Sequence, residues 1–207
     1  MDCKPYLRAH ADELIESLAA LIRIPSVEGA PAENAPYGRD VARCLDEALA
    51  LCERLGFRTH NMDHHVGWCE YGEGEEMIAV LGHLDVVPAG DGWTESEPFS
   101  GEVKNGRIYG RGAMDDKGPV VAAVYALAAL KDAGFTPARR IRVLFGTNEE
   151  TGCGDMAWYR EHGGEKPVMG FTPDGEYPVI NGEKGLVNET FACRFWQSGE
   201  IRLAELE

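Results

Sequence analysis

Residues 144–154 read LFGTNEETGCG and pass from an apolar run into a turn that carries two adjacent glutamates, Glu149 and Glu150. The apolar run, 142–145, predicts a short strand, and Gly146 marks the turn. Open α/β sheets place their ligands at the carboxyl ends of such strands. Two neighbouring carboxylates repel each other, so burying both requires a cation or a shared proton. The alternative is a solvated acidic turn, because glutamate is usually exposed.

A second polar group follows the fully apolar segment 77–81, which is typical of a strand buried on both faces of a sheet. The next four residues read GHLD. In extended backbone, residues two apart point the same way, so His83 and Asp85 share a face. This arrangement suits a metal-ligating imidazole whose orientation a carboxylate sets. A histidine–aspartate pair that serves only the turn is the alternative.

A third acidic group precedes the stretch 120–130, which is apolar nearly all round and predicts a buried helix. Asp116 is well placed to cap this helix, with Pro119 accepted in its first turn. Asp115 is then free to point elsewhere. Alternatively, both aspartates merely complement the helix dipole.

The remaining segments predict an α/β fold with a mixed, largely parallel sheet flanked by helices. Glycine is frequent, at 25 residues, and the apolar share of 44% can support a core. Apolar spacing and turn residues predict helices at 5–22, 39–55 and 155–162, strands at 57–62, 67–71, 168–172 and 186–195, and a hairpin around Asn105-Gly106.

The composition narrows the classes of partner and compartment. A formal charge of −15 over 207 residues argues against a nucleic acid or an anionic membrane as partner. The first ten residues show no secretory signal, and no apolar run approaches the roughly 18–20 residues that span a bilayer. The six cysteines are scattered without a CxxC pair, which predicts reduced thiols in a cytoplasmic protein.

Asp174, directly after the strand predicted at 168–172, adds a fourth polar group at a strand or helix end. Together the four groups match a hydrolase with two divalent ions, which lie about 3.5–4 Å apart and can share a carboxylate. A further carboxylate then takes the proton of the activated water. A serine or cysteine nucleophile has less support, because no GxSxG occurs and Cys153 has no evident histidine base.

Four spaced motifs resemble those of the co-catalytic zinc metallopeptidase family that includes carnosinase, aminoacylase and the ArgE and DapE deacylases. They are GHLDVVP (82–88), GRGAMDDKGP (110–119), GTNEETG (146–152) and TPDGEYPVINGEKG (172–185). The DDKGP and PDxExPxINGEKG wording is most similar to the PepV/Sapep-type bacterial dipeptidases. The resemblance implies a zinc-exopeptidase-like catalytic domain.

The resemblance also implies roles for six residues. His83 and Asp174 would bind one metal and Glu150 the other, with Asp115 bridging the two, Glu149 as general base and Asp85 orienting His83. The implied reaction is hydrolysis of the peptide bond of a dipeptide with two divalent metal ions. Zinc is the expected metal, and manganese or cobalt are the alternatives. Within the family, N-acyl amino acid deacylation or carboxypeptidase action is the alternative. A non-catalytic metal-binding fragment is the alternative from another class.

Members of that family are longer, insert a lid domain after the strand predicted at 186–195, and take their last histidine ligand from beyond the lid. No histidine follows His162 in this chain. We therefore expect residues 1–185 to be the amino-terminal part of the catalytic domain and residues 186–207 to begin an incomplete lid. A longer protein carrying this chain is expected to be a dipeptidase, and the chain alone to be weakly active or inactive.

Overall fold

The computed structural model describes residues 2–175 and residue 180, and residues 1–175 form one compact unit. The helices are α1 (Lys4–Ala9), α2 (Ala11–Ile22), α3 (Arg39–Arg54), α4 (Lys117–Asp132) and α5 (Gly154–Glu161). The strands are β1 (Arg58–Met62), β2 (Val66–Tyr71), β3 (Met77–His83), β4 (Glu102–Lys104), β5 (Arg107–Tyr109), β6 (Arg140–Gly146) and β7 (Met169–Phe171). The strand predicted at 186–195 and the domain boundary before it lie outside the described residues.

Five of the described strands form one sheet in the order β1-β2-β6-β3-β7. Strand β3 pairs in parallel with both β6 and β7, whereas β2 pairs antiparallel with β6 and with β1. Four of these five strands therefore run in the same direction, and β2 opposes them. The predicted mixed, largely parallel sheet is confirmed.

Helices cover both faces of this sheet. The larger apolar cluster joins α2, α3 and α4 to one face, and a smaller cluster packs Tyr159 of α5 against Val66, Met77 and Leu144 on the other. Central strands that are covered on both sides have no polar face. This explains why the segment 77–81 is apolar throughout rather than alternating.

Helix α4 is buried along its length, as its sequence predicts, but the predicted cap at its amino terminus is wrong. Asp116 occupies the cap position and makes no side-chain hydrogen bond to the helix. Its Oδ2 instead accepts the backbone N–H of His83 at 3.1 Å. Gly82 allows this approach, because a Cβ there would lie 2.5 Å from the same oxygen.

The helix predicted at 5–22 is interrupted at His10, whose backbone (φ −106°, ψ 17°) is not helical. The residues around it, RAHADE, include no large apolar side chain. No packing therefore favours one continuous helix over two, and the His10 ring lies 2.9 Å from Glu13 Oε2 in the first turn of α2. Among the described helices, none has the length and apolar character that crossing a bilayer requires.

Candidate metal centre

The carboxyl ends of β3 and β6 lie side by side, because His83 at the end of β3 pairs with Gly146 at the end of β6. Strand β7 is the other parallel neighbour of β3 and ends three residues before Asp174. Asp115 directly precedes the cap residue of α4. The topology therefore brings all four predicted polar segments to one edge of the sheet.

His83 is the centre of this cluster. Its side chain is buried, and three carboxylates surround its Nε2 atom: Asp115 Oδ1 at 2.9 Å, Asp174 Oδ2 at 3.5 Å and Glu149 Oε2 at 3.9 Å. These three acids are exposed, so the imidazole forms the floor of an acidic patch that is open to solvent. Neither glutamate of the 149–150 pair is fully buried, because Glu150 is half-buried and Glu149 is exposed.

The cluster contains two groups of side chains that could hold a metal ion. One consists of His83, Glu149 and Asp174, and the other of His83, Asp115 and Glu150; within each group the ligand atoms lie within 4.8 Å of one another. Imidazole nitrogen and carboxylate oxygen are ligands that zinc accepts. Every residue predicted to bind metal is thus brought together, and Glu149, predicted as the base, lies among them.

Asp85 contacts both halves of the cluster and is 1% exposed. The Nδ1 atom of His83 lies 2.9 Å from the backbone carbonyl of Asp85 and 3.4 Å from its carboxylate. A carbonyl oxygen can only accept, so Nδ1 carries a hydrogen and Nε2 faces the acids. The carboxylate of Asp85 accepts the backbone N–H groups of Glu149 (3.2 Å) and Glu150 (3.0 Å), a contact that sequence reasoning missed.

The electrostatics of the cluster favour retention of protons. Burial alone would lower the pKa of His83, but the hydrogen bond and charge of Asp85, with the charge of Asp116, raise it to about 10. Partial burial raises the pKa of Glu149 and of Glu150, and neighbouring acids add to the effect. Metal binding requires deprotonated ligands, so a divalent cation would displace these protons.

In the part of the chain that the structure describes, the ion pairs of Asp115, Glu149 and Asp174 are to His83, and none is to lysine or arginine. At the same edge of the sheet, the buried Oδ1 atom of Asp116 has no hydrogen-bond partner among the described residues. Clustered acids without basic partners are a usual feature of a cation site. The donor set and its charge therefore fit a divalent metal.

Sequence reasoning missed two buried residues that fasten the segments of the site. Asp155 holds the turn after β6, and Lys117 donates from Nζ to the carbonyls of Leu21 (2.9 Å) and Ile24 (2.8 Å) at the end of α2. Burial lowers the pKa of Lys117. A signal for Lys117 existed, because a lysine in the first turn of a helix opposes the helix dipole.

Two further histidines and a cysteine of the described residues stand outside the two candidate metal groups. His64 and His65 lie in the turn between β1 and β2. There His64 Nε2 lies 2.9 Å from Asp46 Oδ1, and His65 Nδ1 lies 3.2 Å from the Tyr37 hydroxyl. Partial burial and the charge of Glu149 raise the pKa of the Cys153 thiol. A raised thiol pKa disfavours the thiolate that nucleophilic catalysis needs.

Residues 79–202, more than half of the chain, match the family described as Peptidase family M20/M25/M40. The chain belongs to this family. The family resemblance predicted from the four motifs is therefore confirmed.

Three relatives illustrate the similarity of this M20-family chain. YtjP of Bacillus subtilis, whose name proposes a dipeptidase, is 46% identical over 179 residues, which are 86% of this chain and 38% of YtjP. The Beta-Ala-Xaa dipeptidase of Lactobacillus delbrueckii subsp. lactis is 40% identical over 197 residues, 94% of this chain and 42% of that protein. Human carnosine dipeptidase 1 superposes with a TM-score of 0.69 at 26% identity, over 84% of this chain and 41% of that one. The chain thus spans about two-fifths of the length of these relatives.

Proposed function

We propose that this chain provides the metal-binding half of a dipeptidase active site, in which metal-activated water hydrolyses the peptide bond of a dipeptide. The observation that carries the proposal is the cluster around His83, where one buried imidazole meets four carboxylates with no lysine or arginine ion pair in the described part. Family membership and the dipeptidase names of the relatives support the same reaction.

Two divalent metal ions fit this cluster. Zinc is the metal we propose, with manganese or cobalt as the alternatives. In the proposed assignment His83 and Asp174 would hold one ion, Glu150 would hold the other, and Asp115 would be a ligand of both. When bound, such ions polarise a carbonyl and lower the pKa of water towards 7. The chain prepares the first ligand itself, because the hydrogen bond from Nδ1 of His83 to the Asp85 carbonyl leaves Nε2 towards the acids.

Glu149 is proposed as the general base. Its pKa is raised by partial burial, then by Asp174 and the other acids around it, which brings it closer to the range where a carboxylate can both take and return a proton. Its exposed side chain can reach substrate, while its backbone N–H is held by Asp85. It would accept a proton from water at Oε2 and give it to the leaving amine. Asp85 would act by orienting both His83 and Glu149.

The remaining parts of the proposal concern the whole protein. Residues 1–185 would belong to the catalytic domain and residues 186–207 to the beginning of a lid. The substrate would be a small unblocked peptide, with neither nucleic acid nor membrane as partner, and the compartment would be the cytoplasm. The chain by itself would be weakly active or inactive, because it spans two-fifths of the length of its relatives.

Replacement of Glu149 by Gln tests the proposal in a longer protein that carries this chain, loaded with zinc. We expect dipeptide hydrolysis to fall by about 10²–10⁴-fold, the usual contribution of a general base, while the metal content stays unchanged. The assay compares an α-dipeptide, a β-alanyl dipeptide and an N-acetylated dipeptide. Glu161→Gln, the same substitution at the exposed end of α5, is the control.

Equal activity of the Glu149→Gln variant and the parent would contradict the assignment of the base. Faster hydrolysis of the N-acetylated substrate would indicate a deacylase or a carboxypeptidase instead of a dipeptidase. Two bound ions without hydrolysis of any of the three substrates would favour a metal-binding protein without catalysis.

A further inference from the structure

Four consecutive backbone N–H groups, those of residues 147–150, donate to two buried carboxylates. The first two donate to Oδ2 of Asp155, at 2.6 and 3.1 Å. The last two donate to the carboxylate of Asp85, at 3.2 and 3.0 Å. Both aspartates are 1% exposed. The backbone between the end of β6 and the two glutamates is therefore held at every residue by a charged acceptor.

This turn has no regular secondary structure. Besides those four hydrogen bonds, the Thr147 hydroxyl donates to the carbonyl of His65 at 2.5 Å, and the backbone N–H of Cys153 donates to the carbonyl of Asn148 at 2.8 Å. Glu149 is exposed and Glu150 is half-buried, and each belongs to one of the two candidate metal groups around His83. Asn148 adds a second link on the Asp155 side, because its Oδ1 accepts the backbone N–H of Gly154 at 3.0 Å.

The carboxylate of Asp155 does more than complement the dipole of its own helix. An acid in the first turn of a helix usually complements the dipole of that helix, and Asp155 does stand in the first turn of α5. Its carboxylate, however, also reaches back to the end of β6, where a Cβ on Gly146 would lie 2.8 Å from Oδ2. Glycine at that strand end leaves the space that the carboxylate occupies.

We propose that Asp155 is a positioning residue that sets where Glu149 and Glu150 lie. Among the described residues, its carboxylate accepts the backbone N–H groups of residues 147, 148 and 156 and has no hydrogen bond to a proposed metal ligand. It would act through the backbone of residues 147 and 148. Asp85 fixes the following two residues from the opposite side. The inference deepens the proposed function and rests on it, since it assigns a purpose to the turn only if the two glutamates serve a metal site.

Metal affinity and the spectrum of bound cobalt test this inference without an activity assay. In the 207-residue chain, Asp155→Ala leaves two buried N–H groups unpaired, and we expect cobalt affinity to fall by about 10–100-fold, as for other residues that orient metal ligands. The visible absorption of bound cobalt should also change, because the ligand geometry changes. Asp155→Asn retains an oxygen that can accept both N–H groups, so we expect it to restore most of the affinity.

Two controls separate positioning from general stability. Asp40→Ala removes an acid from the first turn of α3, far along the chain from the turn, and should leave cobalt affinity unchanged. Asp155→Glu keeps the negative charge in the first turn of α5 but cannot place it at the same point, so it should weaken cobalt binding as Asp155→Ala does. Wild-type affinity in Asp155→Ala or in Asp155→Glu would overturn the inference.

Hydrogen exchange in the unsubstituted chain gives a test that does not depend on a variant folding. The amides of Thr147 and Asn148 should exchange as slowly as those of β6, and exchange at the rate of an open loop would overturn the inference. Failure of the proposed function has a different signature. In that case the longer protein hydrolyses no dipeptide, while Asp155 still controls cobalt affinity.

Discussion

Strand β6 has a cluster of charged side chains at each end, and the two clusters differ in whether basic side chains compensate the charge of the acids. At its start, Arg142 lies 2.7 Å from Glu70 and 3.2 Å from Glu165, and Arg140 contacts the same two acids. At its end, the acids around His83 have no arginine or lysine ion pair in the described part of the chain. One cluster is neutralised by the protein, and the other presents its charge to solvent.

The protonation behaviour of the two clusters differs in the same sense. The hydrogen bond from Arg140 lowers the pKa of Glu165, whereas partial burial and acidic neighbours raise the pKa of Glu149. Acids whose charge is compensated by arginine are structural, and acids held together without compensation are available for a cation. The comparison therefore separates compensated from uncompensated carboxylates at the two ends of a single strand, and three substitutions can break or sharpen it.

The largest expected effect follows from removing the imidazole that both candidate metal groups share. His83→Ala should reduce the metal retained after zinc loading and desalting to background, because each group loses its nitrogen ligand. Elemental analysis measures the metal content per chain. His64→Ala, on the hairpin, is the control and should retain the parent content. Parent-level zinc in His83→Ala would show that the acids bind metal without the imidazole.

A smaller effect, and of a different kind, is expected at the start of β6. Arg142→Met leaves Glu70, which is nearly buried, without one of its three arginine partners. Loss of one partner of a buried pair costs about 3–5 kcal/mol of unfolding free energy, and we expect at most this loss because Arg58 and Arg140 remain. Urea denaturation measures this change. Cobalt affinity should stay within twofold of the parent if the two clusters are independent.

The matched control for this substitution is Arg54→Met, whose exposed pair with Glu47 should contribute less than about 1 kcal/mol. A large loss of cobalt affinity in Arg142→Met, with the fold intact, would mean that the ends of β6 are coupled.

The smallest effect concerns the pH dependence of stability. Because Arg140 lowers the pKa of Glu165 in the folded chain, the stabilisation by this acid is present above its unfolded pKa of about 4.3 and is lost as pH falls through the folded value. Glu165 is partly exposed, so we expect at most about 1 kcal/mol. Urea denaturation of Glu165→Gln and the parent should differ at pH 7 and converge near pH 3. A difference that persists at pH 3 would contradict the assignment.

Much of the fold could be predicted because it depends on local patterns. The buried segment 77–81 and the helix at 120–130 are apolar over their whole length, which few other structures explain. Gly56 ends α3 with a φ of +73°, and Asn105 and Gly106 both have positive φ in the β4–β5 turn, a backbone that these residue types favour. The break at His10 was not predictable, because nothing local distinguishes one helix from two there.

The sequence predicts which side chains gather at the site, but not the hydrogen bonds that hold them there. His83, Asp115, Glu149, Glu150 and Asp174 stand out because each follows a strand or precedes a helix in a motif with a chemical purpose. Asp116 was assigned to the wrong partner, since its sequence position favours a cap and its actual donor, the His83 N–H, lies 33 residues away. The two hydrogen bonds that Asp85 accepts from the turn join residues that are 64 and 65 positions apart in the sequence.

The amino-acid sequence by itself determined the order of strands and helices, the surplus of acid and the five side chains that gather at the sheet edge, because apolar runs and turn residues act over a few positions. Only the tertiary structure decided which carboxylates are compensated and which are not. Hydrogen bonds and ion pairs form between whichever groups the topology makes neighbours, and Arg142, Asp155 and Asp85 received their partners in that way. The distinction between a structural acid and a site acid is therefore a property of the fold.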